Sequence, residues 1–324
     1  MLKKEVTLGI DIGGTNTKVG IVDRDGECLA NSVMATRAEE PIEFFLPRLY
    51  HTIDAMVSPF LESINILGIG IGAPNANFYT GLIEQPANLK WADKTPLAKL
   101  VEDNYKIPVK LTNDAKAAAI GEMKFGVAKG MKNFMVLTLG TGLGSGIVVN
   151  GEVVYGADGY AGEFGHVIVN ANGRTCGGGR RGCLEAYVSA TGICRTVYKL
   201  LADYPDPSEL RDIPFHELSA EMITESALRG DKIALEAFEY TGRIFGMKLA
   251  DLVAILSPEA IILFGGLTRS KELLFEPTRK YMEEYMFPIF RNKIKLLASG
   301  LEGANTAVLG ASALMWNELD KTKV

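Results

Sequence analysis

Four groups of residues along the chain have types and spacings suited to chemistry. The first is Asp11-Ile12-Gly13-Gly14-Thr15-Asn16-Thr17-Lys18. Its two glycines free the backbone to turn sharply and to point N–H groups at an anion. Its threonine hydroxyls add donors, and Asp11 can hold Mg²⁺ through water. Taken alone, the segment serves equally as a plain hairpin turn. The second group, Leu139-Gly140-Thr141-Gly142-Leu143-Gly144-Ser145-Gly146, is the same kind of turn. Two such turns can clamp a nucleotide between two lobes. Neither is a Walker A loop, because the chain contains no G-x-x-x-x-G-K-[ST].

The third group is Thr112-Asn113-Asp114, ahead of an alanine-rich helical pattern. Asn and Asp are good helix caps, and the local pattern favours that reading. The functional alternative is a carboxylate at a lobe junction, acting as general base on a sugar hydroxyl. The fourth group is Glu163-Phe164-Gly165-His166, followed by Cys176, Cys183 and Glu185. Carboxylates and an imidazole set among glycines suit sugar hydroxyls, because each carboxylate accepts several hydrogen bonds and imidazole accepts or donates. The segment Gly68-Ile69-Gly70-Ile71-Gly72-Ala73 contains G-x-G-x-x-A, a dinucleotide fingerprint in form only. Its glycines lie inside a strand pattern, and Pro74 stands where a helix should begin, so it is set aside.

The elements that must position these groups follow from apolar periodicity. Residues 5–11, 17–23 and 27–34 read as strands, with Asp25-Gly26 as a hairpin signal. Residues 134–139, 145–149 and 152–156 repeat the pattern, with Asn150-Gly151 as the turn. This is the mark of a duplicated architecture. Between the two meanders, 41–63 reads as a helix containing Pro47, and 66–72 as a strand. Thr95-Pro96 reads as a cap opening a helix to Tyr105, followed by a strand at 109–112 and a helix at 115–125. Helices follow near 187–203, 219–229 and 231–255, the last with Ala234, Phe238, Phe245, Leu249 and Leu252 on one face. Residues 259–266 read as a buried strand ending in Gly265-Gly266, and 271–286 and 305–319 as helices. Strands interleaved with helices give an α/β fold of two lobes.

Composition narrows the function classes. At 324 residues, with 47% hydrophobic and 23% charged residues, the chain can bury a core and is not a disordered segment. Residues 140–192 hold 15 of its 35 glycines, marking backbone that turns sharply or approaches something closely. A net charge of −5 gives no general attraction to nucleic acid or to an anionic membrane. Four cysteines do not make a disulfide scaffold. The opening residues lack an apolar run of signal-peptide length, and no stretch reads as a membrane span. The expectation is a cytoplasmic protein without nucleic-acid or membrane partners.

The four groups, in this order, resemble the ROK family of sugar kinases within the actin-like ATPase superfamily. Gly72-Ala73-Pro74 and Asn88-Leu89-Lys90-Trp91 resemble that family's sugar-side segments. The resemblance implies an α/β fold of two actin-like ATPase (ribonuclease H-like) lobes with a cleft between them. The lobes would be 1–112, completed by a C-terminal helix within 303–324, and 113–302. The implied activity is transfer of the ATP γ-phosphate to a hexose 6-hydroxyl, with glucose the leading substrate. N-acetylmannosamine, N-acetylglucosamine, allose and fructose are the alternatives.

On this resemblance Asp114 is the catalytic base. Gly72, Ala73, Asn88, Asn113, Glu163, His166 and Glu185 lie against the sugar. Asp11 lies near Mg²⁺. Gly13, Gly14, Thr15, Asn16, Thr17 and Lys18 form one phosphate turn, and Gly140, Thr141, Gly142, Leu143 and Gly144 the other. Gly265 and Gly266 face the adenosine. The family's zinc site is one histidine and three cysteines arranged C-x-C-G-x-x-G-C. Here His166, Cys176 and Cys183 are in place, but Gly178 stands where the middle cysteine belongs. A structural zinc takes four ligands, so the resemblance leans against a resident zinc. The family also contains sugar-responsive regulators with a helix-turn-helix segment ahead of the first meander, whereas here the first strand begins near residue 5. An actin- or chaperone-like ATPase would not need Glu163, His166 and Glu185. The resemblance further implies a homo-oligomer, a dimer or tetramer.

Overall fold

The computed structural model describes residues 3–86, 89–301 and 305–322. Apolar alternation opens the chain as β1 (Lys4–Ile12), β2 (Asn16–Asp23) and β3 (Cys28–Ala35). Helix α1 (Ile42–Val57) contains Pro47 and gives way to a single 3-10 turn at Ser58–Phe60. The expected helix over 41–63 is thus corrected, because Pro59 has no N–H with which to continue the ladder. Strand β4 (Ile64–Gly72) follows, and β5 (Ile83–Glu84) with β6 (Lys94–Thr95) makes a small antiparallel ribbon. Helix α2 (Leu97–Tyr105) starts after Pro96. Thr95 belongs to β6 and its hydroxyl donates to Ala92 O at 3.0 Å, so it is not the expected cap. Strand β7 (Val109–Thr112) runs into α3 (Asp114–Lys124).

The second meander is β8 (Phe134–Leu139), β9 (Leu143–Val149) and β10 (Glu152–Val153). Asn150 and Gly151, at φ +54° and +81°, make the expected tight turn. β10 stops at Val153, short of the expected 156, and Gly156 at φ +75° redirects the chain. Helices α4 (Ala190–Asp203), α5 (Ala220–Leu228) and α6 (Lys232–Leu256) precede β11 (Ala260–Phe264). Then come α7 (Glu272–Tyr285), β12 (Lys295–Ala298) and α8 (Thr306–Lys321). Helix α4 begins at Ala190 rather than 187, because Ser189 caps it by accepting from Gly192 N. Strand β12 went unread in the sequence. The face of α6 expected to be apolar is buried from Ala234 to Leu252.

Two five-stranded sheets result, of order β3-β2-β1-β4-β7 and β10-β9-β8-β11-β12. In the first, β1, β2 and β3 are antiparallel neighbours, and β4 and β7 run parallel to β1. In the second, β8, β11 and β12 are parallel. The chain divides into two compact units. One is Met1–Met131, Gly146–Gly162 and Ser299–Val324, and the other Lys132–Ser145 and Glu163–Ala298. This differs from the expected limits of 1–112 and 113–302 by giving the first unit α3, with the residues up to 131, and also 146–162. The helix belongs to the first unit because Gly121 lets it approach α8 closely: a Cβ there would lie 2.9 Å from Gly310 Cα.

Glycines in two strands of the first unit admit α8 onto the sheet. A Cβ at Gly9 of β1 would stand 2.1 Å from Val308 O, and one at Gly70 of β4 would stand 1.8 Å from Ala311 O. A Cβ at Gly68 would meet Met315 Sδ at 2.8 Å. The dinucleotide-like glycines are therefore seats for a helix. Because the clash is with helix backbone, Gly70→Ala is expected to destabilise the protein by about 2–3 kcal/mol or more. Urea unfolding measures this, and an unchanged midpoint would show that α8 yields freely.

Candidate active site

In the first unit, the parallel strands β1, β4 and β7 end side by side. Asp11 pairs in register with Gly72, and Gly72 with Thr112. The carboxyl ends of neighbouring strands in an open α/β sheet are where such folds bind ligands. Asp11 lies near the end of β1, Gly72 ends β4, and Asp114 follows β7 by way of Asn113. Gly72 lies close to both carboxylate-bearing residues. A Cβ on it would lie 3.3 Å from Ala117 Cβ, 3.7 Å from Asp114 Cα and 3.9 Å from Asp11 Oδ1. Ala73 is fully buried, and its N–H donates to Thr112 O at 3.0 Å.

Of Asn113 and Asp114, the helix cap is Asn113. It caps α3, its Oδ1 accepting from Ala115 N at 3.0 Å and Lys116 N at 3.4 Å. Its carbonyl oxygen is thus engaged, and its side-chain amide hydrogen-bonds Asp114. Asp114 is the first helical residue, and its Oδ1 accepts from Ala115 N at 2.8 Å. The residue is solvent-exposed, yet protein surrounds it densely enough that desolvation raises its carboxyl above the ordinary range. Asp11 is half-buried. Burial, and then the charge of Asp114, push it up to about 6 against the opposing pull of Lys18.

The first glycine turn presents Gly14, Thr15 and Asn16 to solvent. It closes through Gly13 N to Asn16 O at 3.0 Å. Thr17 faces inward, sharing a 2.9 Å hydrogen bond with Thr36, whose hydroxyl also lies 2.7 Å from Gly13 O. The Thr36 N–H donates to Thr15 O at 2.9 Å. Buried Thr36 therefore braces the turn from β3's end. No local pattern marks it, and sequence reasoning missed it. Lys18 pairs with Asp11 across β1 and β2. Asn88 lies outside the described residues.

The second unit gathers the other candidates. Gly140 and Thr141 are exposed beyond β8, and Gly265-Gly266 follow β11, so these too sit at the ends of neighbouring parallel strands. Gly265 takes φ +112°, and a Cβ on it would lie 2.6 Å from Leu139 O. A Cβ on Gly266 would meet nothing within 4 Å. Glu185 is tied to the turn, accepting from Leu143 N at 3.5 Å and from Gly177 N at 3.3 Å. Its Oε1 stands 4.0 Å from His166 Nδ1. Gly144 is half-buried beside buried Leu143. Glu163 is exposed and opens a short 3-10 turn at Phe164–His166. That turn is seated by Phe164 N donating to Ser145 Oγ at 3.1 Å and by Gly165, where a Cβ would lie 2.2 Å from Leu143 O. The structure thus brings Glu185, His166 and the glycine turn together.

His166, Cys176 and Cys183 offer ligand atoms within 4.8 Å of one another, with Cys176 Sγ 3.9 Å from His166 Nδ1. A Cβ on Gly178 would stand 3.8 Å from His166 Cε1 and 3.9 Å from Cys176 Sγ. Position 178 therefore faces the cluster, and glycine there leaves the donor set at three. Three donors fit an open site, not a closed structural one. Cys194 takes no part: its thiol contacts Leu218 O at 3.4 Å, and burial pushes it up to about 11. Burial and the neighbouring Cys176 also push Cys183 up to about 11. Two surface grooves of about 410 Å³, beside Arg37 and His51 and beside Lys232 and Glu272, contain none of the candidate residues.

The ROK family model matches residues 7–318, and the chain belongs to the ROK family. It is 32% identical over 312 residues to the glucokinase of Halalkalibacterium halodurans, covering 95% of this chain and 94% of that one. A ROK family glucokinase from Streptomyces griseus, solved with glucose and AMPPNP, superposes with a TM-score of 0.79 at 33% identity. That match covers 95% of this chain and 98% of the other. A ROK family transcriptional regulator, homologous to the E. coli MLC protein, superposes with a TM-score of 0.87 at 26% identity, over 98% of this chain and 78% of that one. The expected α/β fold of two lobes is the family's fold.

The raised Asp11 pKa has a consequence for stability. A carboxyl whose folded pKa lies above its unfolded value of 3.8 favours the folded state below that value, and this is lost as pH rises through about 6. At pH 8 the ionised Asp11 is a burden on folding. Asp11→Asn is therefore expected to stabilise the protein at pH 8 by about 1–3 kcal/mol, and to change little near pH 4. Denaturant unfolding across that range measures it. A variant equally or less stable at pH 8 would contradict the shift.

Proposed function

We propose that the protein is an ATP-dependent hexose kinase that phosphorylates the 6-hydroxyl, with glucose as the substrate. The observation that carries this reading is Asp114. It is an exposed carboxylate of raised basicity, fixed at a helix start beside a second carboxylate at the ends of parallel strands. A carboxylate whose pKa is raised has more affinity for the proton it must accept. In this reading the Asp114 carboxylate takes the proton of the 6-hydroxyl as the sugar oxygen bonds to the γ-phosphorus. The bond to ADP breaks, and the proton later passes to solvent. Glu163, His166 and Glu185 hold sugar hydroxyls. The N–H groups of Gly13, Gly140 and Leu143 are engaged within the protein, so the turns at Gly13–Thr15 and Thr141–Gly144 offer those of Gly14, Thr15, Thr141 and Gly142 to phosphates, and Gly266 leaves room for the nucleoside.

Mg²⁺ fits the pair of carboxylates. Asp11 is raised partly by the charge of Asp114, a repulsion that a cation relieves. Asp11 would hold it through water, and bound there it supplies neutralisation of phosphate charge. The cluster of His166, Cys176 and Cys183 enters no step and is read as lacking a resident zinc. A cytoplasmic setting accords with use of ATP and with cysteines left as free thiols.

The similarity to glucokinases supports this reading, and the regulator's TM-score favours a second: a non-catalytic sugar-responsive protein. An ADP-release assay over hexoses and N-acetylhexosamines separates them. Glucose is expected to give the highest kcat/KM, and absence of turnover on every sugar would favour the sensor. Asp114→Asn is expected to lower kcat by about 10²–10⁴-fold or more while leaving the fold intact. In the wild type, kcat/KM is expected to fall on the acid side as Asp114 protonates, at a pH above the ordinary aspartate range. Near-normal turnover by the variant would sink the assignment. Metal analysis of purified protein is expected to give well below one zinc per chain. A value near one would overturn the zinc reading.

A further inference from the structure

A loop in the first unit receives two buried side chains that the chemistry above does not use. Asn77 is 3% exposed, and its Nδ2 donates to Asp158 O at 2.8 Å. Lys116 is 2% exposed, and its Nζ donates to the next carbonyl, Gly159 O, also at 2.8 Å. A third donor, the hydroxyl of Tyr79, reaches Gly156 O at 3.0 Å. The loop is shaped to accept them. Gly159 takes φ +93°, and a Cβ on it would lie 2.6 Å from Asn77 Oδ1. The ring of Tyr155 stacks on Phe78 at 4.3 Å, and the Lys116 ammonium lies 5.7 Å from that ring's centroid.

The origins of these donors give the contacts their meaning. Lys116 follows Asp114 by two residues on the first turn of α3. Asn77 follows the Gly72-Ala73-Pro74 segment. The loop itself runs through Gly162 straight into Glu163. One short stretch of backbone is thereby registered against the segment bearing the base and against the strand end beside it, immediately before the chain delivers Glu163 and His166. Burying an ammonium is costly unless its hydrogen bonds are met, so the lysine is an expensive tether where a neutral residue would pack. Asn77 is held in turn, because its Oδ1 accepts from Tyr79 N at 3.0 Å.

We infer that Lys116 and Asn77 are positioning residues that set the sugar-side loop by capturing the Asp158 and Gly159 carbonyls. This rests on the kinase reading of the same site. Neither residue touches substrate. They act through the backbone that precedes Glu163, so their loss is felt by the sugar and not by the nucleotide.

The test compares Lys116→Met, Lys116→Arg and Asn77→Asp with the wild type. Asn77→Asp keeps the acceptor for Tyr79 N while removing the donor to Asp158 O. Hexose KM, ATP KM, and glucose Kd by calorimetry without nucleotide are the readouts. Lys116→Met and Asn77→Asp are expected to raise hexose KM and glucose Kd at least about tenfold with ATP KM within about twofold, and Lys116→Arg to recover part of the loss. If Lys116→Met does not fold, Asn77→Asp and Tyr79→Phe carry the test, the latter with a smaller shift in the same direction. Hexose KM and Kd within about twofold of wild type in the folded variants would overturn the inference. So would a parallel loss toward hexose and ATP. A wild-type protein that binds glucose without turnover would sink the kinase reading alone, leaving the Kd comparison to decide this one. A wild type that binds no hexose would sink both.

Discussion

Asp11 and Asp114 are held near one another against their own repulsion, and much of the structure is arranged to permit it. Their backbones come from different elements, a strand and a helix start, and Gly72 lies between them without a side chain. Asp11 rises to about 6 because burial and the neighbouring charge both oppose its ionisation. A carboxyl whose pKa is raised by folding weakens the folded state once it ionises, and strongly perturbed groups cluster at functional sites. In the proposed reading, the pair serves phosphoryl transfer as a basic carboxylate for the hydroxyl proton and a second that attracts a cation.

Rigid support for the pair comes from backbone packed against backbone. Helix α8 lies on β1 and β4 at contact distances only glycine allows, at Gly9 and Gly70, and approaches α3 through Gly121 and Gly310. These contacts fix the strand ends on which Asp11 and Gly72 sit and the helix that begins with Asp114. In the second unit, glycines do a different job. Gly140 and Gly266 leave space where a Cβ would meet nothing, while Gly165 and Gly265 are pressed against Leu143 O and Leu139 O. The glycine excess is thus part close packing and part open backbone at strand ends.

Local physics made most of the elements legible. The Asn150-Gly151 turn and the apolar face of α6 follow from short-range rules, and the cap at Asn113 was readable as a cap. Residues that act only through the tertiary fold were not legible. Thr36 braces the first turn from the far end of β3, and Asn77 and Lys116 meet their carbonyls in a loop distant in sequence. Nothing in residue type or spacing announces such partners. The glycines of β4 could be denied a dinucleotide role from the strand pattern and Pro74. Their positive role needed the position of α8. The end of α1 was misplaced because Pro59 terminates a helical pattern that hydrophobicity alone continues.

The most direct test is to follow the phosphorus atom. Protein, ATP, Mg²⁺ and glucose are combined and observed by ³¹P NMR as ATP is consumed. A kinase built on Asp114 yields a phosphoester resonance coupled to the C6 protons of glucose, growing in step with ADP. Bound glucose with no phosphoester, or ADP accompanied only by inorganic phosphate, would contradict the assignment of this site to hexose phosphorylation.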